Sequence, residues 1–178
     1  MGQYYKAALL AENKTTILKS FLSWTYDNGS KLMEHSYIGN NFVGAVESAL
    51  LNKPQRIVWA GDYADNCKRK KTNIYDRCTE NTDVSTKEVS PQSVKAPYVV
   101  NHSKKEFVDK RKSLKDKNNF NLRIHPLPLM TCEGCGRDGG DFHGEDKNNI
   151  VGSWARDLIS IESRKPKGFK ELIFDLVE

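Results

Sequence analysis

Two stretches of this chain set ligand-type side chains directly against apolar segments. In residues 31–46, KLMEHSYIGNNFVGAV, His35, Asn40 and Asn41 lead into an apolar run. In residues 56–65, RIVWAGDYAD, an apolar run ends on Asp62 and Asp65. Element ends of this kind hold a side chain on a fixed backbone while leaving it wet, which suits a binding or catalytic group. His35, Asp62, Asp65 and His125 form a candidate catalytic set, with Asp141 and His143 as further polar candidates. Histidine with carboxylates can hold a divalent metal that activates a water, or can act alone as a general base. The reaction class would be metal-dependent hydrolysis of a phosphate-containing substrate. No HExxH, HxH or DxD spacing accompanies these residues. A structural role is the competing expectation, with His35 capping the helix that follows and Asp62 and Asp65 closing a turn.

The four cysteines allow a second chemistry. Cys132 and Cys135 make a CxxCG knuckle, whose glycine lets the backbone turn toward the sulfurs of a zinc site. Cys67 and Cys78 would complete the four ligands, but their wider spacing is not that of a second knuckle. Four free thiols in a reducing cytoplasm are the alternative. The surrounding glycines, Gly134, Gly136, Gly139, Gly140 and Gly144, match neither a Walker loop nor GxGxxG.

Charge points elsewhere. The net charge is +5 and the pI is about 8.9. The cations are clumped: Lys68, Arg69, Lys70 and Lys71 form one run, and Lys104, Lys105, Lys110, Arg111 and Lys112 a second. Such clusters bind phosphate backbones or acidic protein faces, and they also occur as plain solvated loops. Tyr63 and Tyr98 flank the polar element ends and could stack on a base, although core packing is the expectation for both, as for Trp59 and Trp154. The reading preferred here is a small binding protein that engages and modulates a nucleic acid or a nucleic-acid-handling complex. No apolar run approaches a membrane span, no signal peptide is visible, and Lys6 spoils the myristoylation pattern of Met-Gly. A cytoplasmic location follows by default.

The elements that must position these groups give a single α+β domain over residues 1–178. Its sheet is mostly antiparallel, with about two helices and a long polar excursion near residues 66–95. Residues 3–10 read as a buried first strand, and residues 15–24 are ambiguous in period. Ile38, Phe42, Val46, Ala49 and Leu50 recur at helical spacing, with Asn40 or Asn41 as the N-cap. Short strands are expected at 56–60 and 96–100, a short helix within 104–117, and an extended edge strand at 123–130 because of Pro126 and Pro128. Strands within 151–161 and 171–177 close the sheet.

Several segments together carry a resemblance: MGQYY, KLMEHSYIGNNFVGAV, RIVWAGDYAD, YVVNHSKKEFVDK, IHPLPLM, VGSWARDLIS and KPKGFKEL. In this order they resemble an uncharacterised family of small bacterial and phage-associated proteins. The resemblance implies no established activity. Phage-borne company implies a counter-defence role, such as inhibition of an RNA-guided nuclease (an anti-CRISPR). Members of that family carry an EGNG-like segment followed by GGDY. This chain instead has Glu133-Gly134-Cys135-Gly136, then Gly139-Gly140-Asp141-Phe142. A metal role for the cysteines is therefore not implied by the family pattern.

Overall fold

A computed structural model describes residues 3–66, 71–84, 88, 94–116, 120–134 and 142–176. The chain opens with β1 (Tyr5–Leu10) and β2 (Ile17–Phe21), followed by a 3-10 turn, Ser23–Tyr26. Two helices come next, α1 (Leu32–His35) and α2 (Asn41–Leu50), and then β3 (Gln55–Gly61). The polar excursion contains α3 (Ile74–Arg77). Strands β4 (Tyr98–Asn101) and β5 (Glu106–Asp109) form a hairpin, and β6 (Lys115–Asp116) pairs with β7 (Leu122–Arg123). The last described elements are α4 (Pro126–Thr131), β8 (Cys132–Glu133), β9 (Leu158–Glu162) and β10 (Lys170–Glu171). The result is one α+β domain around a mostly antiparallel sheet, ordered β10-β5-β4-β9-β3-β1-β2, with β8 pairing β3.

The sheet is covered on both faces, and the strand alternation shows it. Tyr5, Ala7, Leu9, Ile57 and Trp59 enter the larger core, while Ala8, Leu10, Val58 and Ala60 enter a smaller one. Helix α2 covers the larger core: Asn40 caps it by accepting the Val43 N–H at 3.1 Å, and Phe42 packs on Trp59 with ring centroids 4.9 Å apart. The smaller core is closed by Ile74 and Cys78, which pin the polar excursion to the sheet. Truncating Leu50, which is fully buried, is expected to cost about 2–5 kcal/mol.

Three local expectations are corrected. Residues 126–131 form a helix rather than an edge strand. Pro126 and Pro128 occupy its first turn, where backbone N–H groups have no helical partner, so their missing donors cost little. Residues 106–109 are a strand, followed by a 3-10 turn at Lys110–Lys112, because Phe107 and Val108 are buried on opposite faces of a doubly covered sheet. The strand expected within residues 151–161, with Trp154 near its start, begins only at Leu158. Trp154 sits in the preceding turns, its backbone N–H donated to Met130 O at 2.7 Å and its ring fully buried. No helix among the described residues is long and apolar enough to cross a membrane.

Candidate functional site

The alternation of β1 that buries Ala8 and Leu10 puts Lys6 on the same side of the sheet, at the uncovered margin of the smaller core. Its ammonium donates to Cys78 O at 2.9 Å and Tyr75 O at 3.2 Å. It also lies 4.0 Å from the Tyr75 ring centroid and 5.8 Å from that of Trp24, a cation–π arrangement. Burial pushes the Lys6 pKa down, against the opposing pull of Cys78 and Asp76. The Tyr75 phenol is pushed up, first by burial and then by Asp62, Asp76 and Tyr4. Of its two ring partners Trp24 is 54% exposed; Tyr4, two residues before Lys6 in the chain, is 48% exposed, and Tyr63, next to Asp62, is 54% exposed.

The backbone under these rings is tied at each point. Asp62 and Tyr4 hold one another, the Tyr4 N–H donating to Asp62 Oδ1 at 3.2 Å and the Asp62 N–H to Tyr4 O at 2.9 Å. Asp83 fixes the turn that carries Trp24, accepting the Leu22 N–H at 3.1 Å and the Thr25 hydroxyl at 2.5 Å. Asn73 donates to Asp62 O and Ala64 O, both at 3.1 Å, and its Oδ1 caps α3. Of the residues next to this clamp in the chain, Asn66 and Lys71, the first member of the basic run to be described, are both exposed. Lys68, Arg69 and Lys70 lie outside the described residues, as do Cys67, Cys135 and Asp141.

The second basic cluster is dispersed by its partners. Lys104 Nζ donates to Ser153 O at 2.5 Å, with Asp157 Oδ2 at 3.9 Å. Arg111 is paired with Asp109 at 2.7 Å and lies 5.4 Å from the Tyr98 ring, and Lys112 pairs with Glu171. Lys105 is exposed in a turn. Lys110 does not reach the surface, because its ammonium is buried 2.5 Å from Glu47 Oε1. Of the two tyrosines expected in the core, Tyr98 is half-buried against Phe107, whereas Tyr63 stands in solvent.

The hydrolytic candidates engage separate partners. His35 Nδ1 accepts the Lys31 N–H at 3.2 Å within α1, and its ring fills the space where Gly29 has no Cβ. Asp62 is the backbone tie just described, and Asp65 is exposed. His125 is completely buried and caps α4 by accepting the Leu127 N–H at Nδ1. That bond leaves the proton on Nε2, which lies 2.8 Å from Glu47 Oε1, with the oxygen to one side of the N–H direction. Burial pushes the Glu47 carboxyl up, but His125 and Lys110 together outweigh it and hold the group below the ordinary carboxylate value. Among the described residues no group of three or more His, Cys, Asp or Glu side chains is placed to hold a metal. Cys78 and Cys132 are buried on opposite faces of the sheet, Cys78 in the smaller core and Cys132 in the larger, so the fold does not bring these two together. Burial pushes the Cys78 thiol up to about 11.

Two clusters escaped the sequence reading. One is Glu47 with Lys110 and His125. Its signal was a carboxylate one helical turn beyond Val43, inside the apolar stripe of α2. The other is His102, Ser160 and Glu162. His102 Nε2 lies 2.8 Å from Ser160 Oγ and 3.3 Å from Glu162 Oε1, and Ser160 donates to Glu162 at 2.7 Å. Here serine and carboxylate share one ring nitrogen, whereas an activated serine needs the carboxylate on the other. Ser160 is also fully buried, so this cluster ties β9 to the turn after β4. Compared with known protein families, characterised proteins and solved structures, the chain matches none.

Proposed function

We propose that the protein binds single-stranded nucleic acid, free or displayed in a ribonucleoprotein, through the face formed by Tyr4, Lys6, Trp24, Tyr63 and Tyr75. The observation that supports this reading is a fixed lysine over two rings, Tyr75 and the solvent-open Trp24, with the exposed Tyr4 two residues before it and Lys71 of the basic run exposed as well. Aromatic faces stack on bases without regard to sequence, and neighbouring cations follow the phosphates. The phosphate contacts are assigned to Lys71 and its three chain neighbours rather than to Lys105 on the β4–β5 turn. Occupying a strand in this way would modulate a nucleic-acid-handling complex by competing for its substrate path, which is the form a counter-defence role would take.

The test is titration with an unstructured oligonucleotide, followed by tryptophan fluorescence and anisotropy at several salt concentrations. Replacing Lys68, Arg69, Lys70 and Lys71 with serine should flatten the salt dependence by about 0.7 in log–log slope per contacting cation. The melting temperature should hold. An unchanged slope and affinity would remove the basic run from the interface. Absence of oligonucleotide binding at low salt would overturn the reading.

A further inference from the structure

Among the described strands, β6 and β7 alone stand outside the main sheet, as a two-stranded ribbon. The base of the ribbon is fixed. The Ile124 N–H donates to Leu114 O at 3.4 Å, the Ile38 N–H to Arg123 O at 2.8 Å, and the His125 N–H to Ser36 O at 2.8 Å. One terminal nitrogen of the Arg123 guanidinium donates to Arg111 O and Ser113 O. Among the described residues its other donors have no partner. The side chains alternate across the ribbon: Asp116 is buried and Leu122 half-buried, whereas Lys115 and Arg123 are exposed.

Two features of this ribbon work against the free fold. Lys115 and Arg123 stand directly opposite one another across the ladder, where like charges repel. Among the described residues neither is paired with a carboxylate. Phe120, in the turn that leads into β7, has φ 52° and is 91% exposed. The left-handed region suits Asn121 beside it, at φ 56°, but disfavours a bulky side chain. With so little of the ring covered, packing does not explain the conformation. A backbone outlier without a packing reason points to function. Arg111 and Lys112 do not enter the argument, because Asp109 and Glu171 already hold them.

We propose that the β6–β7 ribbon is a second contact for single-stranded nucleic acid, an inference that rests on the reading given above and extends it. The Phe120 ring stacks on an unpaired base, and Lys115 and the unused donors of Arg123 hold the neighbouring phosphates. A phosphate between the two cations replaces their repulsion with attraction, and a base over Phe120 covers the ring. An acidic peptide answers the cations alone. A nucleotide answers both features, with one phosphate and one planar base on every residue.

Two substitutions separate binding from support of the fold, because each relieves the free protein. Phe120→Gly removes the side chain that the left-handed backbone disfavours. Lys115→Glu turns the like-charge pair with Arg123 into an opposite one. Both should raise the melting temperature by about 1–3 °C. Both should also weaken binding of oligothymidylate about tenfold. Irradiation of a 5-iodouracil-substituted oligothymidylate on the wild-type protein should place an adduct on Phe120. Wild-type affinity in both variants, with the serine variant of Lys68 to Lys71 weakened, would overturn the ribbon contact and leave the first face standing. Lowered melting in both variants would also overturn it, since the two residues would then serve the fold. So would binding of polyglutamate that Lys115→Glu abolishes while oligothymidylate binding is untouched, because the partner would then be an acidic protein. A wild-type protein that binds no oligothymidylate at low salt removes the nucleic-acid reading itself, and this contact with it.

Discussion

Lys110 and Lys6 both withdraw an ammonium from water, and they do so in opposite ways. Lys110 is almost wholly buried and meets a carboxylate, with Val94 O as a second acceptor at 2.8 Å. Lys6 is only half-buried and meets two carbonyls and two rings, with no carboxylate in direct contact. The first arrangement joins α2, the turn after β5 and, through His125, α4. Its charged groups face one another in the interior rather than solvent. The second leaves the outer surfaces of Tyr4, Trp24 and Tyr63 unspent. A buried ion pair with one partner removed is costly, whereas a cation among rings at a surface can lose a partner and be rehydrated. The contrast separates the part of the molecule that holds the fold from the part that is free to bind.

The largest effect should come from breaking the buried cluster. Glu47→Gln keeps the shape and leaves Lys110 without its counter-charge. It should lower unfolding stability by about 3–5 kcal/mol, read from the urea midpoint. A loss below about 1 kcal/mol would show that the pair contributes little against its own desolvation.

Acid sharpens the same point. Because the folded state holds Glu47 below its ordinary value of 4.5, the unfolded chain takes up the proton first as pH falls. The contribution is fully present above that value and drains as pH descends through the folded-state pKa. Acid melting curves of the wild type should therefore be steeper than those of Glu47→Gln. Parallel curves would remove Glu47 from the acid transition.

On the exposed side, Trp24→Ala should cost about 1–3 kcal/mol of oligonucleotide binding, the range for one base–ring stack. Its stability should move by no more than about 0.5 kcal/mol, as expected of a surface ring. Equal losses of binding and stability would mean that Trp24 supports the turn rather than the ligand. The smallest change is expected from Lys6→Met, at about 1 kcal/mol of stability, because Tyr75 O and Cys78 O exchange an ammonium for water. A loss as large as that of Glu47→Gln would erase the distinction between the two lysines.

Legibility in the sequence followed the locality of the interaction. Helix α2 was readable apart from its exact start, since the capping asparagine, left open between Asn40 and Asn41, and the apolar stripe that follows are neighbours in the chain. The strands around Tyr5 and Ile57 were readable from continuous apolar character, which a sheet covered on both faces produces. Helix α4 was misread because two prolines signal a break everywhere except in a first turn. The partners of Glu47 and Ser160 lie far along the chain, and no local pattern announces them. Tyr63 was expected to pack in the core, yet it is 54% exposed beside Asp62, whose tie to Tyr4 joins residues far apart in the chain. The basic residues were visible as a composition. Which of them remain free depended on carboxylates that only the fold delivers, as Asp109 does for Arg111 and Glu47 for Lys110.

The place of β9 in the sheet bears on how the molecule is made. β9 lies between β3 and β4, although it follows both in sequence by many residues. On a ribosome, β1, β2 and β3 can pair as soon as they emerge, as can β4 and β5. The two halves cannot be joined until residues 158–162 arrive. Until then the nascent chain presents two raw strand edges, each a template for pairing with another chain. Truncated or stalled products should therefore be the sticky species, and a chaperone that shields those edges during synthesis should raise the yield of native protein.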